Sequence, residues 1–180
     1  YFVLAAIGGG IDLWTKDAVF RWRGVPQPHL PRKVWWLANG HLGIETSVNP
    51  GALFGMGAGW WLLFAALSCA ALIGIWTWLF VFHAARDRWI NVALGFVTGG
   101  ILGNLYDRIG LPGLPSNLNH GVRDWILFEW PESKLSIFNP WPNFNIADSL
   151  LVTGAIMLVI HTLIWHEAAK AVTDPQSKPA

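Results

Sequence analysis

Long apolar stretches dominate the chain, and short polar clusters punctuate them. Trp60 to Phe82 carries no charged side chain and has Trp at or near both ends; Trp89 to Tyr106 is equally uncharged. A third such stretch runs from about Ile146 to Trp165. A bilayer core about 30 Å thick is crossed by roughly 20 apolar residues in a helix, so each stretch is predicted to be a membrane span. Tyr1 to Ile11 is apolar too, but Asp12 and Lys16 interrupt it before Phe20. We read residues 1–20 as a retained span, with those charges inside it or at its rim, because no small-residue cleavage site follows. The pattern therefore predicts an all-α membrane protein. Its four transmembrane helices lie at about 1–20, 60–82, 89–106 and 146–165, in one domain over residues 1–180, with a flexible polar tail over 166–180.

Three connections join these spans. In the first, Val34 to Leu37 and Leu42 to Val48 flank Asn39-Gly40, a pair suited to a tight hairpin turn. A small β element on the membrane surface is expected there, between helices 1 and 2. The second connection, His83 to Arg88, is short. The third, Asp107 to Asn145, holds most of the remaining polar residues. Gly95, Gly99 and Gly103 recur at four-residue spacing, so they share one helix face and permit a close neighbouring helix.

Composition agrees with the pattern. Hydrophobic residues make up 53% and charged residues 13%, against about 25% charged in typical soluble domains. The 13 Trp suit a membrane interface. A net charge of +1 lacks the basic surplus expected of a nucleic-acid binder. The single cysteine, Cys69, lies within an apolar run and reads as packing. His29, His41 and His120 are too scattered for a ligand motif, so neither a metal nor another cofactor is expected.

Four alternating spans carry a topological consequence. The end of span one, the start of span two, the end of span three and the start of span four fall on one membrane face. Asp12, Asn49, Asn104, Asp107, Arg108, Asp124, Asn145 and Asp148 are therefore predicted to converge there. That face also holds Arg21, Arg23, Arg32, Lys33, Arg123 and Lys134, whereas Arg86, Arg88, Lys170 and Lys178 lie opposite. A raw positive-inside count would turn the polar cluster to the cytoplasm, although long loops dilute that rule.

Ionisable groups at membrane depth are costly and mark functional or paired structural sites. Each acid has an ordinary structural reading by itself: Asp148 as a helix cap, Asp107 with Arg108 as an interfacial ion pair, Asp124 as a solvated loop acid. Asp12 and Lys16 form an i,i+4 pair with the acid first, the favourable order in a helix. Together the acids allow more. Two close carboxylates in a dry site share a proton, which provides a general base and a general acid at once. Such a pair can activate water against a peptide carbonyl without Ser, Cys or metal. Span counting alone does not choose which two of the four acids form it.

Several blocks, in order, resemble those of the lipoprotein signal peptidases (signal peptidase II). Asn49-Pro50-Gly51-Ala52-Leu53-Phe54 resembles that family's Asn-x-Gly-Ala-x-Phe block. Gly99 to Arg108 matches its Gly-Gly-x-x-Gly-Asn-x-x-Asp-Arg block, and Phe144 to Ser149 its Phe-Asn-x-Ala-Asp-Ser block. Asp12 to Lys16 is similar to its Asp-x-x-(Ser/Thr)-Lys element, and Gly121 to Trp125 resembles its Val-Val-Asp-Phe segment. The resemblance implies an aspartic endopeptidase of the bacterial cytoplasmic (inner) membrane that cuts prolipoproteins before their diacylglyceryl-cysteine. It implies Asp124 and Asp148 as the catalytic pair. Asn49, Asn104, Asp107, Arg108, Asn145, Asp12 and Lys16 would bind substrate or support the pair. It also implies an extracytoplasmic site, against the raw charge count, an extracytoplasmic β element that clasps the substrate, contact with membrane lipid, and a monomer.

Two departures stand out. Arg123 occupies a position where that family usually has an apolar residue; a cation there is expected to hold Asp124 ionised or to reach lipid headgroups. The stretch over 129–142 is longer than usual and is expected to form part of a lid. The alternatives to a protease are a small membrane transporter, whose acids would line a route across the bilayer, and a catalytically silent prolipoprotein-binding protein.

Overall fold

The computed structural model describes residues 1–27, 29–51, 56–130 and 139–173, with side chains of the last helix described to residue 164. In chain order the elements are α1 (Phe2–Arg23), β1 (Trp35–Ala38), β2 (Leu42–Asn49), α2 (Trp61–Trp76), α3 (Arg88–Arg108), β3 (Val122–Phe128) and α4 (Ile146–Thr173). A π-helical turn, Thr77–Val81, prolongs α2, and a short 3-10 turn, Ala84–Arg86, leads into α3. Asp87 starts α3 as its N-cap, accepting the amides of Trp89 at 2.8 Å and Ile90 at 3.1 Å.

Among the described residues, three segments are long and apolar enough to cross a membrane: Trp61–Val81, Arg88–Arg108 and Ile146–Ile164. α1 matches them in length but carries Asp12, Lys16 and Asp17, and it is not among the three. Of the four transmembrane helices expected, three are thus matched by apolar segments, and the first, already expected to carry Asp12 and Lys16, is a helix of mixed character beside them. α4 continues to Thr173, past the expected span end at 165. Its outward side chains, such as Val152, Ile156, Val159 and Leu163, are exposed, as are Leu62, Leu67 and Ile73 of α2. An apolar outer surface of this kind suits lipid rather than water.

α3 is the central helix and packs against α1, α2 and α4. Small residues set how close these helices come. A Cβ added at Gly99 would stand 3.1 Å from the Ala5 carbonyl oxygen and 3.2 Å from the Gly9 amide nitrogen of α1. One added at Gly103 would overlap the Asp12 carboxylate. The glycine face read from the sequence is therefore the face on which α1 lies.

The β element is larger than expected. β1 and β2 form the anticipated hairpin, pairing Trp35 with Ile44 and Ala38 with Leu42 across the Asn39-Gly40 turn. β3, which lies between α3 and α4 in the chain, adds to β2 as a third antiparallel strand. Its register sets Ser47 opposite Asp124 and Asn49 opposite Val122. Asp124 is consequently a strand residue, not a loop acid. Phe144, two residues before α4, bonds along the other edge of β3: its carbonyl accepts from Trp125 at 3.0 Å and Ile126 at 2.9 Å, and its amide donates to the Ile126 carbonyl at 3.1 Å. This short run anchors the start of α4 beside the strand.

Candidate active site

The start of α4 is a reciprocal cap. Asn145 precedes the helix, and its side-chain oxygen accepts the Asp148 amide at 2.9 Å. The Asp148 carboxylate in turn accepts the Asn145 amide at 3.1 Å. This satisfies two backbone donors that a helix N-terminus leaves free. The capping reading of Asp148 is correct, and it leaves Oδ1 for other work. That oxygen accepts from Asn104 Nδ2 at 2.9 Å, across from α3.

Asn145 also reaches the strand. Its Nδ2 donates to Asp124 Oδ1 at 2.7 Å, with longer contacts to Asn104 Oδ1 at 3.2 Å and the Arg123 carbonyl at 3.3 Å. One fully buried asparagine thus touches both carboxylates, one by its amide side chain and the other by its backbone. Asp124 is itself buried. Burial pushes its carboxyl well above the usual range, and the neighbouring Asp148 charge adds to the rise; Lys16 and the Asn145 hydrogen bond pull the other way without cancelling it.

Behind this pair lies a buried ionic network. Lys16 Nζ sits 2.8 Å from Asp12 Oδ2 and 3.2 Å from Asp107 Oδ2, and it donates to Asn104 Oδ1 at 2.9 Å. Asp12 Oδ1 accepts the Ala147 amide of α4 at 2.8 Å. Asp107 takes two contacts from the Arg123 guanidinium, at 2.9 and 3.0 Å, and the Arg123 amide at 2.9 Å. Arg123 therefore neither faces Asp124 nor reaches headgroups; strand alternation turns it to the opposite side, where it meets Asp107 and the Phe20 ring. The headgroup role is corrected by that pairing, and any hold on Asp124 passes through Asp107 instead of a direct contact.

Arg108 secures the neighbouring loops. Its guanidinium donates to the carbonyls of Asn49 and Gly51 and to that of His120 at 3.5 Å, over the Phe64 ring. His120 Nδ1 lies 3.0 Å from the Arg108 carbonyl, and its ring stacks on Trp61 with centroids 3.9 Å apart. The Asn49 side chain accepts the Gly51 amide at 3.0 Å. The remainder of that block, residues 52–54, lies outside the described residues, as do residues 131–138 of the expected lid. The base of that stretch is described: Trp130 and Asn139 exchange two hydrogen bonds, at 2.7 and 2.8 Å.

All nine site residues named from the sequence thus fall in one connected region, but they do not face the same way. Asp12 and Asp107 are at most 1% exposed and consumed by Lys16, Arg123 and the Ala147 amide. Asp124 and Asp148 instead line a cavity of about 890 Å³ with Asn49, Asn104 and Arg108. Phe64, Leu67 and Ala71 of α2 and Leu151 and Val152 of α4 form its apolar walls. Asp124 also borders a second, more polar cavity beside β2, lined by Arg32, Glu45 and Asn143 among others. Sequence reasoning missed that second site: Arg32 holds Glu45 at 2.8 Å and Glu129 at 3.0 Å, and Asn143 donates to Glu45 at 3.2 Å. No short motif joins these four residues, which come from four separate places in the chain.

A helical membrane scaffold carrying a small sheet and two carboxylates on one cavity defines a membrane enzyme. Two solved bacterial membrane enzymes share the fold. One superposes with a TM-score of 0.71 at 24% identity, covering 99% of this chain and 92% of that one. The other gives 0.67 at 26% identity over 89% and 90%. A family model described as Signal peptidase (SPase) II matches residues 4–164. The lipoprotein signal peptidase of Rhodopirellula baltica is 50% identical over 99% of this chain and 78% of its own length. That of Rhodococcus jostii is 33% identical over 92% and 73%. The chain belongs to the signal peptidase II family and is a membrane peptidase of the aspartic type.

Proposed function

We propose that this chain removes signal peptides from prolipoproteins, cutting before the diacylglyceryl-cysteine with Asp124 and Asp148 as its catalytic pair. The observation that carries the reading is the division among the four acids: only Asp124 and Asp148 border the cavity, and Asn145 joins them. In this reading the pair shares one proton. The ionised member takes a proton from water as it attacks the scissile carbonyl, and the protonated member gives its proton to the leaving nitrogen. Asn145 and Asn104 keep the two carboxyls oriented, while Lys16, Asp12, Asp107 and Arg108 support them from behind and beside.

The apolar walls between α2 and α4 suit the signal peptide and the acyl chains of the modified cysteine, which enter sideways from lipid. The polar cavity beside β2 suits the chain beyond the cut, and Trp141, Pro142 and Asn143 line both cavities. The whole chain works as one monomeric unit in the bacterial inner membrane, α1 crossing as a fourth span and the site near the outer face. The test is purified protein with a synthetic diacylglyceryl-cysteine peptide, products read by mass spectrometry. Cleavage before the modified cysteine is expected, with the unmodified peptide left intact. Cleavage elsewhere, or equal cleavage of both peptides, would overturn the reading.

A further inference from the structure

A buried guanidinium is retained only where its charge and donors are matched. Arg123 is 4% exposed; its guanidinium and amide bind the Asp107 carboxylate, and its carbonyl accepts from Asn145. It is therefore the residue through which β3, carrying Asp124, is bolted to α3. Its charge matters as well. The cluster holds four carboxylates, the buried Asp12, Asp107 and Asp124 and the half-buried Asp148, against three cations, Lys16, Arg108 and Arg123. It is neutral when the carboxylates hold one proton among them, which is the state a proton-sharing pair requires.

We propose that Arg123 is a positioning residue that acts through Asp107: it clamps β3 to α3 and cancels a buried charge beside the Asp124–Asp148 pair, and so sets the pH range in which that pair works. The inference rests on the dyad reading above. Other charged groups around the pair are already committed. From α1, Lys16 faces Asp12 and Asp107; from α3, Arg108 faces loop carbonyls. His120 lies against the Arg108 backbone, and Glu45 of β2 is held by Arg32. Without Arg123, the Asp107 charge is left to Lys16 alone, and the added negative field opposes ionisation of Asp124.

The test compares Arg123→Met, Arg123→Lys and Arg123→Met combined with Asp107→Asn, each beside the wild type. Two readouts are taken: the pH dependence of kcat on a diacylglyceryl lipopeptide, and the Asp124 carboxyl titration by infrared spectroscopy of the resting protein, its band assigned with Asp124→Asn. For Arg123→Met both midpoints should move up by on the order of one pH unit, with KM changed less than about two-fold. Arg123→Lys should shift them less, and Asp107→Asn should cancel the shift. A loss of activity with unmoved midpoints would make Arg123 merely structural and overturn the proposal, as would a shift that persists in the double variant. If the single Met variant fails to fold, the Asp107→Asn background decides: a further shift on adding Arg123→Met contradicts the mechanism. A wild type that cleaves nothing would sink the functional reading, while the infrared midpoints would still judge Arg123.

Discussion

At the scale of single residues, Asn145 carries more of the site than either aspartate. It caps α4, touches both carboxylates and packs with no exposed surface. Asn145→Ala should weaken the helix start by about 1 kcal/mol and lower kcat on the order of 10²-fold through misplacement of Asp124. Thermal unfolding and steady-state kinetics separate the two effects; a kcat within two-fold of wild type would remove Asn145 from the site. Lys16 behaves differently. Replaced by Met, it strands Asp12 and Asp107 without their shared cation, and a buried pair broken in this way costs about 3–5 kcal/mol. That variant should be recovered from membranes in much lower yield, and an unchanged unfolding midpoint would contradict its role. Lys16 and its i,i+4 partner Asp12 could be found in the sequence because charge inside an apolar stretch is conspicuous. Their distant partners Asp107 and Ala147 could not. Arg123 stands next to Asp124 in the chain yet pairs with Asp107, because successive strand residues face opposite ways.

Among the elements, α3 decides the arrangement. It brings the Gly99 and Gly103 face to α1 and the Asn104 and Asp107 side chains to the polar network. Gly99→Val would force side-chain atoms into the backbone of α1 at Ala5 and Gly9, with a penalty of about 1–3 kcal/mol or more. The expected result is a lower unfolding temperature with loss of activity at temperatures where the wild type still works; wild-type stability would show that the helices can part freely. The spans and the hairpin were legible because uncharged length and an Asn-Gly turn are local signals. β3 was not. Val122–Phe128 is apolar at five of seven positions and follows a run of turn residues that includes Pro115, Asn117, Asn119 and Gly121, but nothing in the chain marks it as the partner of a strand more than 70 residues earlier. Only the paired register reveals that Asp124 belongs to the sheet.

For the whole molecule, the raised Asp124 carboxyl links pH to both stability and activity. A group whose pKa is higher folded than unfolded stabilises the fold fully below its unfolded pKa, and the gain is lost as pH rises through the folded value. The wild type should therefore lose thermal stability as pH rises from the ordinary carboxylate range through the Asp124 titration, and stay at the lower level above it. Asp124→Asn should lack that decline and unfold a few degrees higher there, although inactive; parallel pH dependences in the two proteins would contradict the shift. Activity should follow a bell-shaped profile whose limbs belong to the carboxylate pair jointly. The measurement that tests the account most directly is cleavage of the diacylglyceryl lipopeptide by Asp124→Asn and by Asp148→Asn, each with substrate binding measured alongside. Both should bind the peptide while turnover falls at least about 10³-fold. Full turnover by either variant would contradict the assignment of the pair.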